Sequence, residues 1–200
     1  MLRLRWFSLA ASILWCSTAL ADVTECDRLA THPDDPDRVA PGLESNEVDL
    51  PAAERACRAA VAADPRHARS QYHLGRTLYY QGKFEESLPP LRAATDGGYR
   101  QAIFVLGYIL ADGKVTRDNC KAGELWLRSA GLEHPWSGFH LVEKALAGRF
   151  AQCSFKLSDA DLKRYLTLAE DHITITASAG RLEALRKKYD ARPTTPASGD

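Results

Sequence analysis

Five cysteines, six histidines and a short acidic run are the parts of this 200-residue chain best suited to redox, metal or acid–base chemistry. Their spacing argues against each. There is no Cys-x-x-Cys, which removes both a thioredoxin-type redox site and a zinc knuckle. His32, His67, His73, His134, His140 and His172 include no i, i+4 pair, so no helix face offers two imidazole ligands. Asp34-Asp35-Pro36-Asp37 lacks the alternating oxygen ligands, central glycine and closing glutamate of a calcium loop, and reads as a solvated loop. Nor does the chain contain Gly-x-Ser-x-Gly, Ser-x-x-Lys, His-Glu-x-x-His, a phosphate-binding loop or Gly-x-Gly-x-x-Gly. The expectation is a protein with no catalytic residues, no metal and no cofactor.

The remaining cysteine chemistry depends on compartment. Met1 to Ala21 opens with Arg3 and Arg5, continues through an apolar run from Trp6 to Trp15 and closes on Ala19-Leu20-Ala21, the three parts of a secretory signal peptide. The apolar run is too short to cross roughly 30 Å of hydrocarbon. Trp15 stands where a lipoprotein signal ahead of Cys16 needs a small residue. The expectation is therefore a periplasmic or secreted protein with no stable membrane insertion. Removing that segment leaves Cys26, Cys57, Cys120 and Cys153, an even set that reads as disulfides in an oxidising compartment. Three pairings are possible; the two sequence-local couples, Cys26 with Cys57 and Cys120 with Cys153, lie 31 and 33 residues apart and are favoured as structural staples.

Composition bounds the rest. Hydrophobic residues make up 45% and charged residues 26%, which excludes a disordered or collagen-like chain. The 26 basic and 26 acidic residues become 24 and 26 without the first 21, a net charge of −2. That balance argues against a nucleic-acid partner, which calls for a basic excess.

Behind these residues lies a repeat. Tyr72-His73-Leu74-Gly75 recurs as Phe104-Val105-Leu106-Gly107, 32 residues later. Each copy is followed by a bulky residue (Leu78, Leu110), a turn glycine (Gly82, Gly113) and an amphipathic stretch ending on small residues (Ala93-Ala94, Ser129-Ala130). A third, weaker copy begins at Trp136, with Glu143 in place of the packing glycine. A glycine on one helix lets a second approach, and a single helix pair cannot bury its apolar stripe, so neighbouring pairs must stack.

With Leu74-Gly75 as reference, Leu78, Gly82, Ser87, Leu91 and Ala94 fall on the large and small positions of a tetratricopeptide repeat, which the first unit resembles. The second unit is similar to the longer Sel1-like repeat through Ala102, Leu106-Gly107, Gly113-Lys114-Val115, Asp118, Lys121-Ala122, Leu125-Trp126 and Ser129-Ala130-Gly131. Cys26 to Gly42 also resembles the opening of exported bacterial proteins of this kind. The resemblance implies an all-α fold, a short α-solenoid of antiparallel helix pairs with a C-terminal capping helix. The expected organisation is a signal peptide over 1–21, the repeat domain over 22–190 and a disordered tail over 191–200.

Helices are expected near 23–31, 50–63, 67–81, 83–95, 99–112, 119–130, 135–147 and 158–171. Pro89-Pro90 should kink or shorten the fourth. A last helix carries Ile175, Ser178, Leu182, Leu185 and Tyr189 inward and Arg181, Arg186, Lys187 and Lys188 on its polar back. In tetratricopeptide-like stacking the first helix of each pair lines a concave groove. That face carries Arg69, Tyr72, Arg76, Tyr79 and Tyr80, then Gln101, Phe104 and Tyr108, then His140 and Lys144. A basic, aromatic face suits a protein or peptide partner. The same side chains also suit packing between repeats, with Arg69 and Arg76 paired to Glu85 and Glu86. On the binding reading, Arg76→Glu with Tyr72→Ala abolishes capture and leaves stability unchanged. The resemblance thus implies a non-catalytic binding adaptor of the cell envelope, with a small exported hydrolase of cell-wall or peptide substrates as the alternative.

Overall fold

The computed structural model describes residues 23–173 and 176–192. The expected signal peptide, Ile175 and residues 193–200 of the expected tail lie outside the described residues. All regular elements among the described residues are helices: α1 (Glu25–Ala30), α2 (Leu50–Ala63), α3 (Ala68–Tyr80), α4 (Phe84–Asp96), α5 (Arg100–Asp112), α6 (Asn119–Gly131), α7 (Pro135–Leu146), α8 (Asp159–His172) and α9 (Thr176–Asp190).

Their ends follow from local chemistry. Asp49 caps α2 by accepting from the Ala52 N–H, with Pro51 in the first turn, where no donor is missed. Asp118 caps α6 in the same way through Lys121, and Ser158 with Asp161 forms a capping box on α8. Gly113, at φ 77°, ends α5 in the left-handed conformation that glycine adopts without strain. The prolines of α4 neither break nor shorten it: the helix runs through Pro89 and Pro90 to Asp96. The carbonyls they leave without a helical donor belong to Glu85 and Glu86, which are exposed and open to water.

Consecutive helices pack as pairs, α3 with α4, α5 with α6 and α7 with α8, each pair stacking on the next. Close approach comes from the predicted glycines. A Cβ on Gly75 would lie 2.5 Å from Leu91 Cγ, and one on Gly107 would lie 2.8 Å from Trp126 Nε1. The Trp126 indole N–H donates to the Phe104 carbonyl at 3.1 Å, fastening α6 to α5. Small residues on the second helices, Ala94, Ser129 and Ala169, are fully buried against the first.

The third pair corrects the sequence register. Counting from the helix starts, Val142 rather than Glu143 stands where Gly75 and Gly107 stand in the first two. The close approach moves one turn earlier on the same face, to Gly138, where a Cβ would meet the Tyr165 carbonyl oxygen at 2.5 Å. A glycine four residues away lies on the same helix face, which lets the packing survive the shift.

Both expected disulfides are present. Cys26 and Cys57 join α1 to α2 with Cα atoms 4.6 Å apart, and Cys120 and Cys153 join α6 to the loop after α7 at 5.2 Å. The short α1 lies against α2 and α3, in the place of a first helix for α2. At the other end α9 covers α7 and α8, turning Ser178 and Leu185 inward. Ala191 and Arg192, placed in the tail from the sequence, are part of this cap: Arg192 donates to the Tyr189 carbonyl at 2.8 Å and to Asp159 at 3.1 Å.

Candidate functional site

Between α1 and α2 the chain runs without helix from Thr31 to Asp49, across the exposed edges of α3 and α5. The acidic run is not solvated, as the sequence suggested. Asp35 is fully buried and accepts from the Tyr99 hydroxyl at 2.7 Å, and Asp37 accepts from Arg100 Nε at 2.8 Å. Arg76 donates to the carbonyls of Ala30 at 2.7 Å and Leu43 at 2.6 Å. This strap closes one end of the face shared by α3, α5 and α7; α9 closes the other through Arg181, which lies over the rings of Phe139 at 4.7 Å and Trp136 at 5.5 Å. Arg181 was expected on the polar back of that helix.

An open cavity of about 280 Å³ remains between strap and cap. Eight of the residues expected on the inner face line it: Tyr72, Arg76, Tyr79, Tyr80, Gln101, Phe104, Tyr108 and His140. Trp136, Arg181, His32 and Asp34 complete most of the wall. Two expected residues lie elsewhere. Arg69 is buried between α1 and α3, donating to both oxygens of the buried Asp27 at 2.8 and 3.1 Å. Lys144 pairs with Glu143 at 3.1 Å and faces an adjoining cavity. Neither arginine pairs with Glu85 or Glu86; Glu86 is held by Arg58 instead.

Within the wall the side chains divide by burial. Tyr72 is wholly buried and Arg76 nearly so, with the Arg76 guanidinium 4.8 Å above the Tyr80 ring. Their substitution removes core packing and the hold on the strap, so the expectation that Arg76→Glu with Tyr72→Ala spares stability is corrected. His140 is buried in a column of rings, stacked with Trp126 at 5.1 Å and Phe104 at 5.8 Å. Phe104 also stacks on His134 at 4.5 Å, whose Nε2 is hydrogen-bonded to Gln101 at 2.6 Å. Tyr108 stands proud at 44% exposure, and Tyr79 is half-buried.

Burial sets the charges here. It drives the His140 imidazole below its ordinary range despite Glu143 at 3.3 Å, leaving a neutral ring at neutral pH. His32 is lowered to about 4 by burial and then by Arg76, and Tyr79 is pushed up to about 12 by burial. Asp34 is raised by burial and by Glu44. The lining contains no Ser, Thr, Cys or Lys to act as a nucleophile, and no group of three His, Cys, Asp or Glu among the described residues could hold a metal. The arrangement offers ring faces and guanidinium edges.

The same layering of helix pairs appears in a solved structure, a Sel1 repeat protein from Oxalobacter formigenes. It matches with a TM-score of 0.50 and 22% sequence identity, over 62% of this chain and 94% of its own. The fold is a short helical solenoid of the Sel1 kind. No protein-family model matches the sequence, and no match is found among curated proteins.

The solenoid's inner face has a second part. A cavity of about 280 Å³ lies beside the first, lined by Asp112, Arg117, Asn119, Lys144 and Arg149, and the two share Tyr108 and His140. Sequence reasoning missed His32, Asp34, Trp136 and Arg181 as cavity residues. Trp136, next to Pro135 at a helix start, carried a visible signal; the other three depend on where the strap and the cap lie.

Proposed function

We propose that this chain is a non-catalytic adaptor of the cell envelope that holds a protein or peptide segment against the face of α3, α5 and α7. The observation that carries the reading is the open aromatic cavity, whose rings are fixed by their own stacking and hydrogen bonds. Stacked helix pairs present extended concave surfaces suited to binding. Rigid aromatic side chains add contact area at little cost in conformational freedom. A volume of about 280 Å³ lies at the small end of ligand cavities and matches one anchoring side chain.

Support for the location comes from two disulfides, which persist in oxidising compartments, and from the signal-like Met1 to Ala21. No helix among the described residues is long and apolar enough to cross a membrane. Affinity capture from an envelope extract tests the reading, comparing the native chain with a Tyr79→Ala, Tyr108→Ala variant. The native chain retains a protein partner in stoichiometric yield, and the variant loses it while remaining folded; Tyr108→Ala alone, at an exposed residue, weakens capture while melting normally. Equal capture by the two would remove this face as the binding site.

A further inference from the structure

We infer that the occupant of the inner face is an acidic segment carrying one apolar anchor residue, the anchor in the aromatic cavity and the acids in its neighbour. This rests on the adaptor reading above and deepens it. The two cavities differ in kind while sharing a wall. The first is walled mainly by rings, among them Phe104, Tyr79 and Trp136. The second is polar and holds Arg117, Lys144 and Arg149 against a single acid, Asp112. Because Tyr108 and His140 belong to both, neighbouring residues of one bound segment reach both at once.

Charge complementarity fixes the sign of the partner. Arg117 and Arg149 have no carboxylate within ion-pair distance among the described residues, and Arg117 donates only to the Asp112 carbonyl at 2.9 Å. Arg76 and Arg181, at the aromatic cavity, have ring and carbonyl partners and no carboxylate within ion-pair distance among the described residues, and Asp34 lines the same cavity. Glu143 is already engaged by His140 and Lys144, so it does not neutralise the arginines. Elsewhere on the surface some cations are paired, as in Arg58 with Glu54 and Arg186 with Glu170, and others, such as the exposed Arg55 and Lys163, are not paired among the described residues; Arg117 and Arg149 differ in lining one cavity together. Unpaired guanidinium groups clustered beside an aromatic cavity attract a carboxylate-bearing ligand and speed its approach. A basic segment would meet Arg117 and Arg149 in the second cavity, where Asp112 is the one lining acid.

The test is panning of a phage-displayed random dodecapeptide library on the purified full chain. The inference predicts enriched sequences with an aromatic or branched aliphatic residue beside two or more acids. The best enriched peptide, measured by fluorescence anisotropy, should bind about tenfold more weakly to Arg117→Glu, Arg149→Glu protein and weaken as salt rises. Both arginines are surface side chains, so circular dichroism melting should match the native chain. Enrichment of basic or uncharged sequences that still requires Tyr108 would overturn the acidic occupant and leave the adaptor reading standing. Enrichment indifferent to Tyr108→Ala and Tyr79→Ala would overturn the inner-face reading itself.

Discussion

Replacing Gly138 by alanine should destabilise the protein, although alanine is the better helix former. Taking a glycine out of a helix interior gains about 1 kcal/mol. Against this, the new methyl would lie 2.5 Å from the Tyr165 carbonyl oxygen, where ordinary contact begins at 3.4 Å. The obstacle is backbone, so α7 and α8 must separate by roughly 1 Å along a seam that also buries Leu166 and Ala169 completely. Overpacking of this kind costs about 3 kcal/mol at its upper range, for a net loss near 2 kcal/mol. In a domain this size that lowers the melting temperature by about 4–8 °C. Gly180 in α9 is the control, since a Cβ there meets nothing within 4 Å, and Gly180→Ala should raise the melting point by about 2 °C. Thermal melts by circular dichroism decide. A Gly138→Ala protein as stable as Gly180→Ala would refute the register of the third pair.

Three further predictions concern stability. His134 is lowered to about 3 by burial and then by Arg100, and His32 to about 4; below pH 6.5 the unfolded chain takes up protons that the folded chain refuses. Stability should therefore hold above pH 6.5 and fall toward pH 4, with His134 alone costing about 2 kcal/mol at pH 5; equal guanidinium midpoints at pH 7 and pH 5 would contradict this. Cys120→Ser with Cys153→Ser opens a loop of sequence separation 33 and should cost about 4 kcal/mol in the chain-entropy account, read from urea unfolding against the native chain. Tyr99→Phe removes the donor to the buried Asp35 and should cost about 1–3 kcal/mol. Hydrogen exchange should show the loss of protection concentrated in residues 32–43, and a uniform change would speak against the strap.

Helix positions were legible in the sequence because the apolar period, the caps and the turn glycines all act locally. The disulfides were legible because each joins elements that are near neighbours along the chain, Cys26 and Cys57 on successive helices and Cys120 and Cys153 across successive repeats. Most of the cavity wall followed from one register, that of Leu74-Gly75 and Leu106-Gly107. The strap was not legible. Asp35 reaches Tyr99 and Asp37 reaches Arg100 across more than sixty residues of sequence, and an aperiodic loop carries no signal of where it will lie. For the same reason Arg69 and Arg76 read as binding residues when their partners are Asp27 and the Ala30 and Leu43 carbonyls. The third pair slipped because its packing glycine moved by one turn, which preserves the helix face and destroys the sequence match.

The most direct test of the inner face as the binding surface is site-specific photocrosslinking in the native compartment. p-Benzoylphenylalanine in place of Tyr108 samples the ridge between the two cavities, and in place of the exposed Glu85 on α4 it samples the opposite layer. The account predicts a discrete adduct from position 108 and none from position 85. An adduct from position 85 alone would place the partner on the other face and contradict it.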